Sequence, residues 1–197
     1  LKNIVTLSSD ELFALAMVDE LTGAYNRRAL MTYIEEIINT ASVQKTTVSL
    51  LVLDIDKFKS INDTYGHLSG DKAIVEVSKF LKEGVRDNDI VGRYGGDEFV
   101  VVLPNADEQS AAVIAERIRE RVANRKFVSH DEKHEIKMSL SFGLACYPHD
   151  AKDGKSLFTQ ADRALYASKR AGRNKLSRIS DVSYALEMEE KLNDVLA

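Results

Sequence analysis

Apolar and polar positions along this chain repeat at two different periods, and the places where the period changes mark its elements. Leu12, Leu15 and Ala16 recur at helical spacing over residues 8–18, and Ser8 with Glu11 has the spacing of a capping box. Asp19-Glu20-Leu21-Thr22-Gly23 interrupts that stripe with a glycine and a potential Asp cap. Asn26 is placed to cap the next helix, predicted over 27–39, whose apolar face runs Leu30, Ile34, Ile37, Ile38. Residues 46–53 are β-branched and apolar without alternation, which predicts a buried strand ending at Asp54-Ile55-Asp56. Polar, glycine-punctuated residues 57–70 predict a loop with a short helix, and 71–86 a helix with Ile74, Val75, Val77, Phe80 and Leu81 inward. Short strands over 89–93 and 99–103 flank the turn Tyr94-Gly95-Gly96-Asp97-Glu98, a hairpin signal. A helix over 106–125, a charged turn over 130–135, a strand over 136–146 and a helix over 154–170 follow, the last ended by Gly172. The tail, 182–197, again has helical periodicity.

From residue 46 to 146 the order is strand, helix, strand, strand, helix, strand. This βαββαβ pattern is the signature of an α+β, ferredoxin-like core: an antiparallel sheet with helices packed on one face. A length of 197 residues allows one ordinary domain with flanking helices. No internal repeat or low-complexity segment is visible.

Composition narrows the function. Apolar residues make up 44%, enough for a core, and the net charge of −4 argues against non-specific binding to nucleic acid or an anionic membrane. Cys146 is the single cysteine, so no internal disulfide and no multi-cysteine zinc site can form, which fits a reducing, cytoplasmic setting. The longest apolar runs are strand length, well short of the roughly 18 residues of a membrane span. There is no signal peptide, and the start at Leu1 is expected for an excerpt of a longer protein.

Neither a P-loop nor a dinucleotide-binding glycine motif occurs. An EF-hand reading of Asp54-Ile55-Asp56 fails because Lys59 stands where glycine is required. His130 and His134, four apart in a charged turn, read as surface histidines. What remains is two acidic clusters at strand ends, Asp54 with Asp56 and Asp97 with Glu98. In a ferredoxin-like sheet the first strand lies beside the central hairpin, so Asp54, Asp97 and the backbone carbonyl of Ile55 come within reach of one hard cation. Without a ligand this is costly, because like charges 4 Å apart repel by about 4 kcal/mol at an effective dielectric near 20. Mg²⁺ shared with nucleotide phosphates relieves that repulsion, and Gly95-Gly96 leave space for a bulky ligand.

Gly95-Gly96-Asp97-Glu98-Phe99 spells the signature of the GGDEF family, the diguanylate cyclases, and the resemblance extends over roughly residues 15–175. The stretch from Asp19 to Arg28 resembles the family's entry motif, with Ala24 where Leu is commoner. Asp54-Ile55-Asp56-Lys57-Phe58-Lys59-Ser60-Ile61-Asn62-Asp63-Thr64-Tyr65-Gly66-His67, followed by Gly70-Asp71, resembles its first-strand and loop motif. Ser141-Phe142-Gly143, Ala161-Asp162-Arg163-Ala164-Leu165-Tyr166 and Gly172-Arg173-Asn174 resemble its closing strand, helix and turn.

The resemblance implies a reaction, the condensation of two GTP into cyclic di-GMP with loss of pyrophosphate, run by two domains face to face as a homodimer. It also implies residue roles. Asp54, Ile55 through its carbonyl, and Asp97 would bind Mg²⁺ or Mn²⁺; Asp97 and Glu98 would be catalytic. Asn62 and Asp71 would read guanine, with Phe58, His67, Gly95 and Gly96 lining the nucleotide and Lys59, Lys169 and Arg173 neutralising its phosphates. Arg86-x-x-Asp89, with Arg117 as a second contact, would form a site for inhibition by the product. Residues 1–18 would be an incoming signalling helix from an upstream sensor domain, 19–178 the cyclase domain, and 179–197 the opening of a phosphodiesterase (EAL) domain in a tandem parent protein. The competing expectation is a catalytically silent module that binds GTP or cyclic di-GMP and regulates an attached phosphodiesterase.

Overall fold

The computed structural model describes residues 16–183. Most of the incoming helix and the tail from residue 184, including its resemblance to an EAL opening, lie outside the described residues. The elements are α1 (Arg27–Gln44), β1 (Val48–Ile55), α2 (Phe58–Tyr65), α3 (His67–Gly84), β2 (Ile90–Gly95), β3 (Glu98–Pro104), α4 (Glu108–Ala123), β4 (Phe127–Val128), β5 (Glu135–Ile136), β6 (Leu140–Tyr147), α5 (Gly154–Arg170) and β7 (Leu176–Arg178). The main sheet has the order β2-β3-β1-β6-β7. Its first four strands are antiparallel neighbours in the ferredoxin-like arrangement, and β7 adds a parallel edge to β6. β4 and β5 form a separate two-stranded ribbon.

Helices cover both faces of this sheet, a correction to the expected single layer. Leu51, Leu53 and Ile55 of β1 pack under α3 and α4 with Ile74, Val77, Leu81 and Ile118. Val48, Leu50 and Val52, on the opposite face, pack under α1 and α5 with Leu30, Ile34, Leu157 and Leu165. Every residue of β1 is buried, and that is why its sequence is a continuous apolar run rather than an alternation. The approach of α5 is unusually close: a Cβ on Gly143 of β6 would lie 2.0 Å from the Ala161 carbonyl oxygen and 2.2 Å from the Leu165 nitrogen.

Caps fix several boundaries. Asn26 Oδ1 accepts from the Ala29 N–H at 3.0 Å, starting α1, and Asp153 with Ser156 closes a capping box that starts α5 at the expected residue. Several boundaries differ from expectation. α1 runs on to Gln44, and the strand expected over 136–146 is divided between β5 and β6. Val75, expected inward, is exposed because it lies off the Ile74–Val77–Leu81 stripe. β1 runs two residues further, so Asp54 sits within the strand, opposite Glu98 on β3 and Ser141 on β6. The helix expected from residue 71 starts at His67, because Gly70 is not a break but a contact point: its missing side chain is where Asn62 packs, and a Cβ there would meet Asn62 Oδ1 at 1.8 Å.

Candidate functional site

The site is built where β1 ends beside the β2–β3 hairpin. Strand parity sends Asp54 and Glu98, directly opposed in the β1–β3 register, to the face covered by α1 and α5. The Ile55 N–H donates to the Asp97 carbonyl oxygen at 3.4 Å, which holds the hairpin tip against the end of β1. Lys169, from the last turn of α5, places Nζ 2.9 Å from Asp54 Oδ2.

These acids carry the electrostatic cost expected of them. Burial pushes the Asp54 carboxyl up to about 6; the charges of Asp97 and Glu98 add to the rise, while Lys169 opposes it. Burial also raises Asp97, against the pull of its own backbone N–H, Lys169 and Arg93. Glu98 is raised by burial and by the nearby Asp162 and Asp97, with Lys169 and Arg27 pulling it down. Gly95 and Gly96 are exposed, and a Cβ on either would meet no atom within 4 Å. Nothing inside the protein therefore requires Gly95 to lack a side chain, and the space beside the acids is open.

Hard carboxylate oxygens on a strand end, desolvated and mutually repelling, are the donor set that Mg²⁺ or Mn²⁺ takes. The residues fit such an ion, with Lys169 supplying the compensating positive charge in the structure. Asp54, Asp97 and Glu98 are neighbours rather than a clenched cluster. Among the described residues the one group with three ligating atoms within 4.8 Å of one another is Glu108, Cys146 and Asp150, at the opposite end of β1. Asp150 there accepts from the Cys146 N–H at 2.7 Å, and Ser49 Oγ lies 3.1 Å from Cys146 Sγ, so hydrogen bonds already engage that group.

Asp56 does a different task from Asp54. Its two oxygens accept from Ser139 Oγ and Ser141 Oγ, each at 2.6 Å, and from the Asn174 N–H at 2.9 Å. It ties the turn after α5, and so the end that carries Lys169, to the sheet.

A second pole lies between α2 and α3. Asn62 packs on Gly70, one residue before the exposed Asp71, and Phe58 borders the same gap. Asn62 Oδ1 is buried with no hydrogen-bond partner, an orphaned acceptor of the kind that a bound donor satisfies. His67 and Lys59 are exposed on the same helices. Arg173, at φ +63, lines a groove of about 750 Å³ on the other side of α2 with Lys57, Thr64 and Tyr65, so it and Lys169 diverge.

Arg86 and Asp89 form one tight turn: the Arg86 N–H donates to Asp89 Oδ2 at 2.8 Å, and the Asp89 N–H to the Arg86 carbonyl at 3.0 Å. The Arg86 side chain is exposed, whereas Arg117 Nη2 donates to the Gly84 carbonyl at 2.6 Å, satisfying the end of α3.

Sequence reasoning missed Arg93, which lies between the hairpin tip and the entry motif, and Arg27, whose guanidinium sits 4.5 Å over the Tyr94 ring that stacks on Phe158. For Arg93 the available signal was an arginine within a short strand beside the Gly-Gly turn; for Arg27 it was its place in the entry motif.

The family model for the diguanylate cyclase GGDEF domain matches residues 16–175. The chain belongs to the GGDEF family. It is 38% identical over 176 residues to diguanylate cyclase A of Treponema denticola, covering 88% of this chain and 47% of that protein. It is 43% identical over 159 residues to diguanylate cyclase DosC of Escherichia coli K12, covering 81% and 34%. The chain thus spans half or less of the length of these curated relatives. Among solved structures, the GGDEF domain of DgcB from Caulobacter crescentus in complex with cyclic di-GMP superposes with a TM-score of 0.81 at 34% identity, over 84% of this chain and 96% of that one. Among the described residues no helix is long and apolar enough to cross a membrane.

Proposed function

We propose that this domain is an active diguanylate cyclase that joins two GTP into cyclic di-GMP. The observation that carries the reading is the convergence of Asp54, Asp97 and Glu98 at the end of β1, beside an open Gly95-Gly96 turn and under Lys169. The 3′-hydroxyl of one GTP attacks the α-phosphorus of another, pyrophosphate leaves, and a second transfer closes the ring. Asp97 and Glu98 are the groups set to take the proton from the attacking hydroxyl, and their raised affinity for protons suits that role. Mg²⁺ or Mn²⁺ held by Asp54, Asp97 and the Ile55 carbonyl would supply charge stabilisation at the phosphoryl oxygens. Lys59 and Lys169 meet the phosphates, and Arg173, which lines the groove on the other side of α2, joins them only if the turn after α5 moves.

Guanine is read at the second pole. Asn62 Oδ1 and the Asp71 carboxylate accept from the N–H edge of guanine, which adenine lacks. The orphaned Asn62 oxygen supports this role. One domain holds one nucleotide, so turnover takes two copies facing each other. Arg86 and Asp89 form the site for inhibition by cyclic di-GMP; Arg117, occupied by the Gly84 carbonyl, joins it only after releasing that bond. A sensor domain upstream and a phosphodiesterase domain downstream are the partners proposed for the parent protein.

The test is incubation with GTP and Mg²⁺. The expected result is cyclic di-GMP with two pyrophosphates per product, at a specific activity that rises with protein concentration. Guanine-nucleotide binding without product would instead support the silent module.

A further inference from the structure

The chain's entry turn is bonded to the hairpin tip through a single side chain. Asp19 closes the turn by accepting from the Thr22 N–H at 3.0 Å and the Thr22 hydroxyl at 2.7 Å. The same carboxylate receives Arg93 Nη1 on both oxygens, at 3.1 and 3.2 Å. Arg93 Nε then donates to the Gly96 carbonyl at 2.9 Å, the peptide that joins Gly96 to Asp97. Backbone bonds run alongside: the Tyr25 N–H donates to the Val91 carbonyl at 3.0 Å, and the Arg93 N–H to the Tyr25 carbonyl at 2.8 Å. β2 carries a register shift between Arg93 and Gly95, and Gly96 sits at φ +51 with open space around it, so packing does not fix the tip. Arg93 is only partly exposed, and its planar fork engages Asp19 and Gly96 at once, a geometry that a lysine ammonium on a flexible stem does not reproduce.

We infer that Arg93, braced by the Asp19 turn, is a positioning residue that fixes the Gly96–Asp97 peptide and thereby the aim of the Asp97 carboxylate. The inference rests on the cyclase reading above. Gly95 and Gly96 give the ligand room but bring no side chains to pack the tip; beside the Ile55 N–H bond to the Asp97 carbonyl, Arg93 is the side chain that holds it, from outside the nucleotide's space. The entry turn, with Asp19 74 residues from Arg93 in sequence, is thereby part of the support of the reacting centre.

The experiment compares wild type, Arg93→Ala, Arg93→Lys and Asp19→Asn for kcat, KM for GTP and affinity for a non-hydrolysable GTP analogue, with thermal melting alongside. Misplacing a reacting group by about 1 Å costs on the order of a hundredfold in rate. The expected result is kcat lowered about a hundredfold in Arg93→Ala and at least tenfold in Arg93→Lys and Asp19→Asn, with KM and analogue affinity within about threefold of wild type. If Arg93→Ala does not fold, the two conservative variants decide. Folded variants with kcat within twofold of wild type, or a loss confined to KM, overturn the inference. Absence of product from wild type itself would count against the cyclase reading, and so separates the two failures.

Discussion

Lys169 reaches from the end of α5 to Asp54 on β1, Nζ to Oδ2, at 2.9 Å, yet the Asp54 carboxyl still titrates near 6 because it is buried beside two other acids. A carboxyl whose folded value lies above the ordinary 3.8 holds its proton more tightly when folded. Its ionisation therefore destabilises the fold as pH rises from about 4 to about 6, and the loss is complete above that range. Asp54→Asn should raise the melting temperature at pH 8 in metal-free buffer by several degrees, corresponding to about 2–3 kcal/mol, and the gain should vanish below pH 4. Mg²⁺ with a GTP analogue should stabilise wild type but not this variant. Melting curves across pH, with and without the ion, check both.

Asn62 presents a buried oxygen that nothing in the protein satisfies, a cost of about 1–3 kcal/mol carried until a donor binds. Asn62→Leu should leave the free protein at least as stable while weakening binding of a GTP analogue about tenfold or more. Calorimetric titration and melting of one sample read both effects, and parallel losses would show that the residue merely packs.

Gly143 and Gly70 separate the fold from the site. Gly143→Ala drives a Cβ into the backbone of α5 and should cost about 3 kcal/mol or more by forcing the helix off the sheet. Gly70→Ala collides only with the Asn62 side chain, with Phe58 next. It should leave melting within a few degrees and weaken guanine-nucleotide binding. Denaturant titration and analogue binding distinguish the two.

Product inhibition should follow Arg86. Its side chain is exposed, so Arg86→Ala should relieve inhibition by added cyclic di-GMP about tenfold or more with little change in melting temperature. Rate against product concentration measures it, and unaltered inhibition would remove the Arg86–Asp89 turn from the role.

Much of this arrangement was legible in the residues. Ferredoxin-like order, the acids at a strand end and the α5 boundaries follow from periodicity and caps, because those signals are local. The covered second face was present in the unbroken Leu50–Leu53 run, which a one-layer reading overlooked. β4, β5 and β7 are two or three residues long, too short to show a period, and exist through partners distant in sequence. The helical Gly70 and the link from Arg93 to Asp19 are likewise tertiary: each needs a residue that only the fold brings near.

The pairing of β1 with the hairpin as one divalent-cation site is tested most directly by Mn²⁺ paramagnetic resonance on the domain with a non-hydrolysable GTP analogue. Wild type should bind the ion tightly, and Asp54→Asn on β1 and Asp97→Asn in the β2–β3 turn should each lose most of that binding while remaining folded. Mn²⁺ affinity unchanged in both variants would contradict a shared site and place the ion elsewhere.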